Sequence, residues 1–103
     1  MNPRAGGAFE EAKLSVVRKY LSEQFSTCQV RESYAFDRTA QEFRIWDRSA
    51  QLHTVIIARE FLTDKSAEQI AQLIVSWGLA WNVRQAGQSA VMVTNAGVQI
   101  EGE

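Results

Sequence analysis

The sequence predicts an α+β domain. The expected order is helix, three strands, helix, then two or three strands, with a mostly antiparallel sheet and the two helices packed on one of its faces. Three observations carry this. Two segments repeat apolar residues at helical spacing. Between and after them, short runs alternate or cluster as strands do. The links between the first three strands are too short for crossovers, which makes neighbouring strands antiparallel.

The first helix is expected over residues 8–25, where Leu14, Val17, Leu21 and Phe25 recur at three- and four-residue steps with Phe9, Val16 and Tyr20 beside them. Glu10 and Glu11 occupy its first turn, where negative charge favours the helix dipole. Lys13, Arg18, Lys19 and Glu23 fall mostly on the opposite side. Residues 1–7, with two glycines and a proline, read as a flexible tail.

Strands follow. In the first, Cys28, Val30, Tyr34 and Phe36 fall on every second residue, and Glu32 breaks the apolar pattern. In the second, Phe43 and Ile45 share one face, while Glu42, Arg44, Trp46 and Arg48 share the other. The third, Leu52 to Phe61, is continuously apolar and β-branched at its centre, which places it in the middle of the sheet, buried on both faces. The links Asp37-Arg38-Thr39-Ala40-Gln41 and Asp47-Arg48-Ser49-Ala50-Gln51 are near copies and predict similar turn chemistry, each opened by an aspartate.

Ser66-Ala67-Glu68-Gln69 is a capping box that starts a second helix. Ala67, Ile70, Ala71, Leu73, Ile74 and Trp77 form its apolar face, and Gly78 is placed to end it in the left-handed conformation. Leu79, Trp81 and Val83 then alternate with polar or small residues, which predicts a strand; the competing reading continues the helix to about residue 85. Ala86-Gly87 reads as a turn, Ala90 to Thr94 as a strand, Asn95-Ala96-Gly97 as a tight turn and Val98 to Ile100 as a last strand.

The 103 residues amount to one domain, 1–103. A chain of this size buries roughly 60–70 % of its unfolded surface. Its 46 % hydrophobic content excludes a disordered class. Eleven basic against twelve acidic residues give a net charge of −1, which disfavours nucleic acid as a partner. A single cysteine forms no internal disulfide and fits a reducing compartment. Met1 to Gly7 lacks the apolar core of a signal peptide, and no apolar stretch approaches membrane-spanning length. The expectation is a cytoplasmic protein without membrane contact.

No catalytic, cofactor-binding or metal site is expected. His53 is the one histidine and lies inside a predicted strand; with Cys28 it makes too small a set for a metal, and isolated cysteine and histidine are more often structural. No phosphate-cradling glycine loop occurs. Glu32 and Glu60 are expected to pair with Arg31, Arg44 or Arg59 across the sheet. Trp77 and Trp81 are expected in the core. Trp46 is different, because its strand face also carries Glu42, Arg44 and Arg48. Arg44, Trp46 and Arg48 are therefore the candidate interaction surface, since tryptophan and arginine concentrate at interface hot spots.

The order helix–strand–strand–strand–helix over residues 8–78 resembles the double-stranded RNA-binding domain. That family opens its second helix with a basic, glycine-containing stretch; the matching Thr63 to Gln69 here has one lysine and two acids. The order also resembles small bacterial secretion chaperones, which are dimeric α+β proteins. Order alone assigns no family. The leading expectation is a non-enzymatic protein-interaction domain that forms a homo-oligomer. The alternatives are nucleic-acid binding through the same face and a small-molecule pocket between helix and sheet.

Overall fold

The structure is a computed structural model that describes residues 11–101. The expected tail at residues 1–7, and Phe9 and Glu10, lie outside the described residues. The elements are α1 (Glu11–Gln24), β1 (Gln29–Ala35), β2 (Ala40–Asp47), β3 (Ala50–Ala58), α2 (Arg59–Asp64), α3 (Ala67–Ser76), α4 (Leu79–Ala86), β4 (Ala90–Thr94) and β5 (Gly97–Ile100). One five-stranded sheet holds the strands in sequence order, so β3 is central as its composition predicts. Three of the four pairings are antiparallel; β3 and β4 run parallel, joined by the segment that holds α2, α3 and α4. A parallel pair requires such a crossover.

The register sorts the sheet's side chains into two faces. Phe43, Val55 and Val91 lie in one row across β2, β3 and β4, flanked by the rows of Ile45 and of Ile57 and Val93. These side chains are buried in one cluster with Val17 and Leu21 of α1, Ile70 and Ile74 of α3, and Leu79 and Val83 of α4. Ile56 and Ala40 are also buried, but they belong to the opposite face and are not part of that cluster. All four helices contribute to the one face.

Glu32 sits on the covered face of β1, in the row of Phe43. It pairs with Arg18 of α1, not with an arginine of the sheet as the sequence suggests. The second Arg18 contact to Glu32 is 3.1 Å, and Glu11 lies 3.0 Å from the same guanidinium. The hydrogen bonds that Arg18 donates to Glu32 raise the Arg18 pKa above its ordinary value, with Glu11 adding to the effect. A polar group on a core face needs such a partner to offset its burial. Glu60 falls in α2, outside the sheet.

Two element assignments are corrected. Strand β3 ends at Ala58, and Arg59–Asp64 is a short helix instead of a strand continuing to Phe61. Phe61 and Leu62 are adjacent and both fully buried in the same cluster. Successive strand residues point to opposite faces, so only a turn of helix brings both into one core. Likewise Leu79–Ala86 is helix α4, not a strand. Leu79, Ala80 and Val83 are buried while Trp81 is 63 % exposed. A strand would put 79, 81 and 83 on one side; on a helix, position 81 lies about 200° from 79. Trp81 is thus a surface residue, against the expectation of a core one. Trp77 does pack inward, its ring centroid 5.8 Å from that of Phe61.

The capping box closes as the sequence predicts: the Gln69 amide donates to Ser66 Oγ at 3.1 Å, and the Ser66 amide to Gln69 Oε1 at 2.9 Å. Gly78 ends α3 in the left-handed region, at φ 65° and ψ 46°, and so turns the chain into α4. The Asn82 side chain donates to its carbonyl at 3.0 Å and holds that corner.

Candidate interaction surface

The face of the sheet away from the core cluster carries the candidate residues. On β2 it presents Glu42, Arg44 and Trp46; β1 adds Arg31 and Ser33, β3 adds Thr54 and Ile56, and β4 adds Met92. Strand alternation puts them there, because Phe43 and Ile45 take the core side. Ile56 is 1 % exposed at the centre, with Glu42 and Met92 as its register neighbours.

Arg31 and Arg44 stand directly opposite each other on β1 and β2. Like charges in that position repel. Each has another partner. Arg44 forms an ion pair with Glu42 of its own strand. Arg31 lies over the Trp46 ring, 4.6 Å from its centroid, and donates to Gln29 Oε1 at 3.1 Å. A guanidinium over an indole face is attracted by the ring's negative quadrupole. Trp46 is therefore half-buried beneath an arginine, and that arginine is Arg31 of the neighbouring strand, outside the candidate set Arg44, Trp46 and Arg48. No linear signal marks Arg31. Its place beside Trp46 depends on the register of the β1–β2 hairpin.

The register slips between Ile45 and Trp46: Ile45 faces His53, and Trp46 faces Gln51. Such a bulge re-aims side chains near a strand end. Nε1 of Trp46 is buried and has no hydrogen-bond partner. Buried donors are paired in the great majority of cases, so this one calls for an explanation.

Arg48 is not on the strand face. It is the first residue of the two-residue turn between β2 and β3, with φ 59°. The other copy of that sequence makes a four-residue turn, Phe36 to Thr39, in which Thr39 takes φ 53°. The near-identical segments therefore build different turns, because Asp47 is still in its strand while Asp37 is already in the loop. The structure brings Trp46 and Arg48 together in the wall of a pocket of about 760 Å³, with Asp47, Ser26, Thr27, Cys28 and Gln29. Arg44 lies outside that wall, farther along the strand face.

No hydrogen bond joins His53 and Cys28 among the described residues. The Gly87 carbonyl lies 2.9 Å from His53 Nδ1 and can only accept, so Nδ1 carries the proton. The imidazole also packs on Phe25, centroids 5.3 Å apart. Cys28 Sγ lies 3.9 Å from Thr27 Oγ1. Among the described residues, no three His, Cys, Asp or Glu side chains group to hold a metal. No described helix is long and apolar enough to cross a membrane.

Known families, characterised proteins and solved structures offer no match to this chain. The surface has to be read from its own chemistry.

Proposed function

We propose that this chain is a non-enzymatic interaction domain that self-associates and presents the Trp46 face of its sheet to a protein partner. One observation carries the reading: a half-buried indole with an orphaned Nε1 lies beneath Arg31 on a face outside the core cluster, with Arg48 beside it in the pocket wall. Tryptophan and arginine are the residue types that dominate interface energetics. The guanidinium groups of Arg31 and Arg48 beside the indole favour a partner with carboxylates or exposed carbonyls at this spot. The net charge of −1 supports protein over nucleic acid. A lone cysteine supports the reducing cytoplasm as its place of action.

The test uses wild-type protein and Trp46→Ala side by side. Each is immobilised and exposed to a cell extract, and each is titrated with mixed single- and double-stranded RNA and DNA at two salt concentrations. The reading expects a protein retained by the wild type and lost by the variant. Equal retention by both refutes it. Nucleic-acid binding whose affinity falls steeply with salt, with a log–log slope near −0.7 to −0.9 per phosphate contacted, establishes the alternative instead.

A further inference from the structure

A second surface lies on the helix layer. A groove of about 310 Å³ opens between α1 and α3, its walls formed by Val16, Tyr20, Ala71, Ile74 and Val75. Lys19 and Glu23 stand at its α1 rim and are exposed. Val16, Lys19, Tyr20 and Glu23 recur at three- and four-residue steps, so α1 carries a second stripe beside the Val17–Leu21 stripe that enters the core. Val75 is 63 % exposed, an unusual state for a large β-branched side chain on the wall of an apolar groove.

We infer that two copies of the chain meet at this groove, with α1 packed antiparallel to its counterpart about a two-fold axis. The charges identify the occupant. A two-fold axis level with residue 21 sets position 19 of one copy against position 23 of the other. Lys19 then faces the partner copy's Glu23, and symmetry makes the contact twice. Within a single chain the two residues gain little from each other: Lys before Glu is the weaker order at four-residue spacing. Among the described residues neither takes part in an ion pair. Val16, Tyr20 and Val75 on the groove walls supply the apolar part of the contact. This inference rests on the proposal that the domain self-associates, and it leaves the Trp46 face free.

The test is a charge exchange. Lys19→Glu and Glu23→Lys are made separately, and their association is followed by sedimentation across concentration, alone and in equimolar mixture. Each variant alone should associate roughly tenfold or more weakly than wild type, because two attractive contacts become repulsive. The mixture should recover association as a heterodimer, detected by giving one variant a mass label. Loss of folding cannot produce that recovery, and both variants should keep the wild-type circular dichroism. Val75→Asp should likewise leave a folded monomer, and Trp46→Ala should dimerise as wild type does. A dimeric wild type whose two charge variants associate just as tightly overturns the groove and leaves self-association standing. A wild type that stays monomeric at every concentration overturns both.

Discussion

On one face of the sheet Phe43, Ile45, Val55, Ile57, Val91 and Val93 are fully buried in a cluster with four helices. On the other, the same strands carry Arg31, Arg44, Glu42, Thr54, Met92 and a tryptophan whose Nε1 has no partner. The strands are shared, so backbone pairing cannot explain the difference. What differs is how each face satisfies its side chains. The covered face does so internally, even for an acid: Glu32 is met by Arg18. The other face relieves the Arg31–Arg44 opposition with an ion pair and a ring contact, and leaves one donor unmet. The covered face is closed on itself; the other is the face proposed above to meet a partner.

The comparison breaks if truncations on the two faces cost the same. Phe43→Ala should destabilise by about 3–5 kcal/mol, since a fully buried aromatic leaves a cavity. Ile74→Ala, on the helix side of the same core, should cost about 2–5 kcal/mol. A loss below about 1 kcal/mol in denaturant unfolding would place that helix stripe outside the core.

Trp46→Phe sharpens the contrast. It keeps a ring beneath Arg31 and removes the buried N–H that has no acceptor. Stability should stay within about 1 kcal/mol of wild type and shift upward if the orphan donor is costly in the free chain. A fall of several kcal/mol would mean that Nε1 is paired and that this face is closed internally.

The smallest effect concerns the hairpin turns that set the register of both faces. Thr39 at φ 53° is a β-branched residue in the left-handed region, which costs roughly 1–2 kcal/mol relative to glycine's free access. Glycine adds unfolded-chain entropy of about 0.5–1 kcal/mol in return. Thr39→Gly should therefore be neutral to stabilising by about 1 kcal/mol, read from the thermal midpoint. A marked loss would show that the Thr39 side chain holds the turn.

Much of this layout is legible in sequence. The strand alternation of β2 separates Phe43 and Ile45 from Arg44 and Trp46, and Ser66 with Gln69 marks the start of α3. The failures share a cause. Leu79, Trp81 and Val83 fit an alternating strand as well as they fit a helix, and only packing decides that 79 and 83 turn inward while 81 does not. Phe61 extends an apolar β-branched run, and nothing local shows that Leu62 must enter the same core. For the candidate surface, Trp46 and Arg44 stand out by their strand position. Arg48 looks equivalent by spacing, but its turn removes it from the face. Arg31 becomes visible only through the pairing of two strands, which is long-range information.

The separation of stability from binding is tested most directly by one paired measurement on Trp46→Ala: its unfolding free energy beside that of Phe43→Ala, and its retention of the protein partner. The account predicts a stability loss clearly smaller than the roughly 3–5 kcal/mol of a buried aromatic, together with a loss of at least about 2 kcal/mol in binding. A stability loss equal to that of Phe43→Ala, with partner binding unchanged, would contradict it.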